Sequence, residues 1–350
     1  MWGSSMARVA VCLASTCALA CAALPWPSGG ARRATPVAQG GFLDLRGAVH
    51  VHTRVSHDSK GDVGELIDGA HVAGLAFIAL TEHTHGARLR PARGVVENVI
   101  LIPGWEVNSA GASILALGVA SKRGLPREPK ALVAEIERRG GVAFVAHLEA
   151  SSLAEPALYA EAAPDGIEIA NLHATSLEVS GRLVLGELLL PAPWALRSLL
   201  RTPADNLELY ARLPNVRALV GGVDAHAKFR VLGPLGGTLD RYRDLFRLLT
   251  THVLARERSA AGVIEALREG RSYVAFEGLA PVAHFGAARS AGGIAVSAPQ
   301  PARLELVCAG RVVDSSDGTE ALLRVPPDAE RCHVEAWLGS QLWIVTSPLG

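Results

Sequence analysis

From about Gly47 onward, short apolar runs alternate with stretches in which apolar residues recur every three to four positions, the pattern of β-strands joined by α-helices. The runs are GAVHVHT (47–53), AFIALTEH (76–83), NVILIPGWEV (98–107) with ASILALGVA after it, VAFVAHL (142–148), GIEIANLH (166–173) and RALVGGVDAH (217–226). They are apolar on both faces and predict a mainly parallel sheet or barrel covered by helices. After the first run, Val63, Leu66, Ile67 and Ala70 fall at helical spacing, and Asp62 with Glu65 three residues on completes a capping-box pattern. Further helices are expected over 129–139, within 181–212, and near 240–250 and 259–269. The pattern changes at about Leu279. ARLELVCAGRVV, EALLRVPP, CHVEAWLG and LWIVTSP alternate with period two between Gly and Pro turns, which predicts a small antiparallel β-sandwich-like domain over 279–350.

Residues 1–26 read as an export signal: a basic start at Arg8, an apolar run from Val9 to Trp26, then Pro, Ser and Gly. Ala18-Leu19-Ala20 suits a signal peptidase, and Cys21 directly after it resembles a lipoprotein processing site. An uncleaved anchor is the third reading, the run lying at the lower edge of spanning length. Residues 27–43 read as a tether. Each reading puts the bulk of the chain outside the cytoplasm, periplasmic or as a membrane-anchored lipoprotein. Of five Cys only Cys308 and Cys332 lie beyond this signal, either paired or as two buried thiols. Lys+Arg and Asp+Glu both number 34, which excludes the electrostatic footprint of a nucleic-acid binder. No nucleic-acid polymer is therefore expected as a partner, and membrane contact is expected only through an N-terminal lipid anchor.

The polar residues closing the apolar runs make a second pattern. His50 and His52 stand at i and i+2 on a strand, so both side chains point to one face. Glu82 and His83 close the second run, Glu106 the third, His147 the fourth, His173 the fifth, and Asp224 and His226 the last. In parallel α/β folds these carboxyl ends open onto one mouth. Six of the 12 His thus converge on a rim with three carboxylates among them. Imidazole and carboxylate without thiolate suit Zn, Mn or Fe, and the donors exceed what one ion uses, so two or three divalent ions are expected.

In this order the motifs resemble the polymerase and histidinol phosphatase (PHP) superfamily of metal-dependent phosphoesterases. HVHTRVSHDS is similar to the family's opening HxHT…S-D, LTEH to ITDH, IPGWEV to PGxE, VAHL to its single histidine, IEIAN to IExxN and GVDAH to the closing SDAH, over about residues 44–277. The resemblance implies an α/β fold: a distorted seven-stranded (βα) barrel over 44–278 with a trinuclear site, followed by the β domain, as in exported two-domain forms. It implies one metal on His50, His52, Glu106 and Asp224, a second on Glu106 as a bridge with His147 and His173, and a third on Asp58, His83 and His226. Glu82 departs from the family's usual aspartate, and Val223 from the serine before Asp224. The inserted His57 leaves either His57 or Asp58 to serve the third metal, with Asp58 preferred. Glu168 and Asn171 are read as scaffold, and His71, His252, His284 and His333 as structural or surface.

Phosphate-ester hydrolysis is among the slowest uncatalysed reactions, and clustered ions both generate a nucleophile from water and neutralise the phosphoryl oxygens. The expected activity is hydrolysis of a small phosphate ester by metal-activated hydroxide, with Glu106, Asp224 and His226 as its catalytic residues. His85, Arg88, Arg90 and Lys228 are the candidates to meet the substrate. Two readings stand beside it: an amidohydrolase-like metal hydrolase attacking a carbonyl carbon, and an inactive exported metal-binding or interaction protein. The tail carries no catalytic constellation and is expected to be dispensable for metal binding.

Overall fold

The computed structural model describes residues 37–39, 41–83, 90–176, 196–227 and 240–349. The export signal, most of the tether, and the substrate-contact candidates His85, Arg88 and Lys228 lie outside these residues. In chain order the first strands are β1 (Val37–Gln39), β2 (Phe42–Val51), β3 (Phe77–Leu80), β4 (Gly94–Val96), β5 (Val99–Ile102) and β6 (Gly104–Ser109). They are followed by β7 (Ala112–Leu117), β8 (Val142–Ala146), β9 (Gly166–Asn171), β10 (Ala218–Ala225), β11 (Thr250–Ala255) and β12 (Ser272–Ala275). Five more make the C-terminal region: β13 (Gly286–Ser290), β14 (Gly293–Cys308), β15 (Arg311–Leu323), β16 (Cys332–Leu338) and β17 (Gln341–Thr346). Among the described residues the numbered α-helices are α1 (Val63–Ala73), α2 (Pro129–Arg138), α3 (Pro156–Ala162), α4 (Ala204–Arg212), α5 (Tyr242–Leu245) and α6 (Ala260–Arg268), and residues 172–176 are helical as well.

The capping box expected at α1 is formed. Asp62 accepts from Glu65 N–H at 2.9 Å, the Glu65 carboxylate accepts from Asp62 N–H at 3.3 Å, and Gly74 at φ 68° ends the helix in the left-handed cap that glycine tolerates. The expected strand over 98–107 is instead two. Pro103 removes a ladder donor, and Gly104 then passes so close to β3 that a Cβ there would lie 2.3 Å from Leu80 O. The helix expected near 240–250 shrinks to the four-residue α5, because Thr250, Thr251 and Val253 are β-branched and enter β11. The tether gives way to strand earlier than expected, β1 pairing antiparallel with the start of β2.

Strands β8, β9, β10, β2, β3 and β5 pair in parallel. The antiparallel hairpin of β6 and β7 continues from β8. Its outer edge returns to the end of β3: Glu82 N donates to Gly104 O and Glu106 N to Glu82 O, both at 3.2 Å. Alternation along the strands divides the core. One cluster, with Leu66, Ile67 and Ala70 of α1 and Leu132 and Ile136 of α2, lies on the helix-covered face. The other gathers Leu45, Val49, Phe77, Ile102, Leu115, Phe144 and Val220 on the inner face, where Val263 and Leu267 of α6 plug one end. The opposite end of that inner face carries the histidines.

The lower half of β2 pairs antiparallel with β11, β11 with β12, and β12 with β17, so the main sheet continues without interruption into the C-terminal strands. A third core cluster there includes Trp343, Phe285, Leu304 and Val334. Cys308 and Cys332 lie opposite each other on β14 and β16 and are joined by a disulfide.

Candidate metal centre

Backbone conformation changes abruptly where the site begins. His50 (φ 62°), His147 (φ 49°) and Asp224 (φ 49°) adopt left-handed values, which cost a non-glycine residue about 1–3 kcal/mol each and concentrate at functional sites. At His50 the pairing of β2 with β3 slips between Val49 and Val51. Strict alternation would send His50 with Ala48 toward the helices and Val51 inward with Val49; the slip exchanges them, so Val51 joins the helix-side cluster and His50 turns inward with His52. The i, i+2 spacing therefore does bring the two rings together, at 5.2 Å between centroids, and the bulge decides which face they share.

Glu106 is the hub. Its Oε2 lies 2.9 Å from His50 Nε2, 3.2 Å from His83 Nε2 and 3.5 Å from His52 Nε2, and its Oε1 lies 3.5 Å from His147 Nε2. Asp224 approaches His52 Nε2 at 3.3 Å, His50 Nε2 at 3.5 Å and His147 Nε2 at 3.7 Å. Asp58 Oδ2 stands 3.1 Å from His226 Nε2 and 3.9 Å from His83 Nε2. Three sets have ligand atoms within 4.8 Å of one another: His50, His52 and Glu106; His50, His147 and Asp224; and His52, His83 and His226.

The four groups assigned by resemblance to a first metal thus meet, and Glu106 and His147 meet on its other side. His83, His226 and Asp58, the groups assigned to a third metal, also meet, with His52 stacked on both imidazoles at 4.4 and 4.3 Å. The ring of His173 lies 5.5 Å from that of His226. His57 is exposed, its ring 5.8 Å from that of His83. Arg90 is an exposed residue at the edge of the described chain.

Further side chains orient the cluster. Glu168, read as scaffold, accepts from His50 Nδ1 at 2.5 Å, from Asn171 Nδ2 at 2.9 Å and from His147 N–H at 3.3 Å. Asn171 Nδ2 also reaches Asp224 Oδ2 at 3.2 Å. Ser113 Oγ donates to Glu106 Oε1, and Lys122 Nζ to the Glu106 carbonyl at 3.2 Å. His226 Nδ1 faces the Asp224 carbonyl at 3.0 Å. Because a carbonyl or carboxylate can only accept, His50 and His226 carry their proton on Nδ1 and turn Nε2 toward the cluster, the arrangement that metal-ligating histidines use.

Burial would lower His50, yet Asp224, Glu168 and Glu106 outweigh it and hold its pKa well above the usual value. Desolvation wins at His52, which is pushed down to about 3 and stands neutral. It also lowers His83. At His147 burial is overcome by the Glu106 hydrogen bond and the charge of Glu168, and the pKa is pushed up to about 9. Burial would raise Glu106 and Asp224; the charge of His50, with the neighbouring imidazoles, holds both well below the usual carboxylate range.

Among the described residues Glu106, Asp224 and Glu168 form no ion pair with Lys or Arg; imidazoles are their charged partners. Buried carboxylates so compensated call for cations. His52 Nε2 points into the same space, buried and without a hydrogen bond. The donor set is imidazole nitrogen and carboxylate oxygen throughout, and it fits a metal site of more than one ion.

No protein-family model and no curated protein matches the chain. Among solved structures, it is similar to a two-domain protein from Bacteroides vulgatus ATCC 8482 containing a predicted PHP-like metal-dependent phosphoesterase. The likeness covers 92% of this chain and 100% of that one, at 20% sequence identity and a TM-score of 0.46.

Proposed function

We propose that the protein is a metal-dependent phosphoesterase of PHP type that hydrolyses a small phosphate ester. One observation carries the reading: a single buried carboxylate, Glu106, has the Nε2 atoms of His50, His52, His83 and His147 within 3.5 Å. A carboxylate so surrounded suits a shared ligand between neighbouring ions. His50, His52, Glu106 and Asp224 would hold one ion, Glu106, His147 and His173 a second, and Asp58, His83 and His226 a third. Bound divalent ions supply an activated water nucleophile and neutralise phosphoryl charge.

The residues themselves grade from floor to mouth. His50 and His52 are 0% exposed and rest on the apolar inner core, whereas the side chains of His83, His147 and Asp58 are 21%, 26% and 27% exposed. Substrate accordingly approaches from the side of His83, His147 and Asp58, and Glu168, Asn171 and the Asp224 carbonyl keep the buried imidazoles in their ligating orientation. Arg88, Arg90, Lys228 and His85 remain the proposed substrate contacts.

The reading carries a fold and a location with it. The circuit of pairings through β2, β3, β6, β7, β8, β9 and β10 is taken as the distorted seven-stranded barrel over 44–278, with 279–350 as the β domain. Export as a periplasmic protein or lipoprotein is supported by the Cys308–Cys332 disulfide, a bond of oxidising compartments. The test is hydrolysis of p-nitrophenyl phosphate beside a carboxylic ester, before and after chelation. Chelation should abolish phosphate release and added Mn²⁺ or Zn²⁺ restore it; full activity in metal-free protein, or turnover of the carboxylic ester alone, refutes the proposal.

A further inference from the structure

Glu82 ends the second apolar run beside His83, yet it turns away from the cluster. It is 0% exposed and its neighbours all donate to it: Thr53 N–H at 3.0 Å, Thr53 Oγ1 at 2.6 Å and Ser56 Oγ at 2.6 Å. Ser56, 2% exposed, also receives the His83 backbone N–H at 2.9 Å and faces His52 Nδ1 at 3.3 Å.

A serine hydroxyl has one proton to give. With that proton committed to the Glu82 carboxylate at 2.6 Å, the Ser56 oxygen can only accept from its other neighbours. The His52 ring must therefore present Nδ1–H to Ser56, and its lone pair lies on Nε2, which is buried and makes no hydrogen bond to the carboxylates beyond it. That nitrogen is the one aimed at Asp224 Oδ1 (3.3 Å) and Glu106 Oε2 (3.5 Å). His50 and His226 have their Nδ1 protons taken by groups that only accept, Glu168 and the Asp224 carbonyl. His52 alone of the three faces a hydroxyl, which could serve either way, so something must remove the ambiguity.

The geometry points to Glu82 as a positioning residue that, through Ser56, sets the tautomer of His52 and with it the nitrogen offered to metal. The inference rests on the proposed metal site. Thr53 fastens the carboxylate by two bonds, so Glu82 cannot swing toward the cluster, and the same Ser56 oxygen ties His83 to His52 through its backbone. Replacing Ser56 leaves His52 Nδ1 with no acceptor. Replacing Glu82 by its amide lets the Ser56 proton turn toward His52 and favours the opposite tautomer.

The test is ¹⁵N–¹H correlation of the histidine rings in the full chain, before and after Zn²⁺ is added, for the wild type, Ser56→Ala and Glu82→Gln. The expected result is a His52 ring protonated on Nδ1 in the metal-free wild type. In both variants the proton should redistribute toward Nε2, with Zn²⁺ affinity falling about 10–100-fold, the usual loss when a partner outside the ligand shell is removed. A wild-type His52 protonated on Nε2, or a tautomer indifferent to both substitutions, overturns the inference. The two levels separate cleanly: the stated tautomers in a chain that takes up no Zn²⁺ support the relay and refute the metal site, whereas Zn²⁺ binding lost in Glu106→Ala with an indifferent His52 refutes the relay and leaves the metal site standing.

Discussion

Gly222 lies on β10 beneath the cluster, and a Cβ built there would fall 1.7 Å from Glu168 Oε1 and 2.4 Å from its carboxyl carbon. An ordinary carbon–oxygen contact needs about 3.3 Å, so Gly222→Ala forces the Glu168 carboxylate back by roughly 1.5 Å. That displacement breaks its 2.5 Å bond with His50 Nδ1, a charge-assisted bond worth about 1.5–3 kcal/mol. Released from its orienting partner, His50 should bind metal about 10–100-fold more weakly, or about 1.4–2.8 kcal/mol. The assay is competition for Zn²⁺ against a chromophoric chelator, with circular dichroism to establish that the variant is folded. Glu168→Ala should lose a similar amount, and the double variant should lose no more than Glu168→Ala, because the atom that clashed is gone. A folded Gly222→Ala chain with wild-type Zn²⁺ affinity would show that Glu168 does not hold His50, and the reasoning fails.

Metal uptake should also strengthen with pH. His50 and His147 hold protons that an ion must displace, so affinity should rise from pH 6 and level off above about 9, with protons released on binding; calorimetry in buffers of different ionisation heat would show it, and a flat profile counts against it. Far from the site, burial lowers His252 but Asp44 and Glu277 more than compensate and push it up to about 9. A folded pKa raised above the unfolded value of about 6.5 gives stability present in full below that pH and lost as pH climbs through about 9, up to about 3 kcal/mol here. Urea melts at pH 6 and 9.5 should differ accordingly, and His252→Gln should remove the difference; if the variant keeps the slope, another group is responsible. Reducing Cys308–Cys332, 24 residues apart, should cost about 3 kcal/mol by freeing the unfolded chain, and an unchanged urea midpoint in Cys308→Ser/Cys332→Ser would contradict that. Truncation at 279 bares the edge of β12 and should leave an aggregation-prone product; a monomeric, Zn²⁺-binding fragment would bear out the expectation of dispensability and count against this one.

Where pattern and chemistry coincide, the sequence was readable. Asp62 and Glu65 announced the start of α1, and the histidines at strand ends announced the cluster. Pattern failed where a backbone event intervenes. Pro103 divides one apolar run into two strands, and the bulge at His50 decides the face of both leading histidines; neither changes hydrophobic periodicity. Glu168 was legible as scaffold through IEIAN, but a strand buried on both faces has no polar period to show that it turns to His50. Ser56 and Ser113 were silent, and Glu82 was legible as a strand-end carboxylate but not as one that turns away from the cluster, because these roles depend on which partner already holds each proton and not on spacing.

The seam between β12 and β17 has a consequence for how the chain is made. Leu342 and Val345 of β17 belong to the same apolar cluster as α1 and α2, although some 270 residues separate β17 from α1. A chain delivered from its N-terminus, whether from a ribosome or across a membrane, therefore completes its first core only when its last described strand has emerged. Until then β12 presents an open edge and the cluster beneath it stays wet. Folding is held back to completion, with a high entropic cost of long-range closure, and the interval before it is when the protein most needs a chaperone.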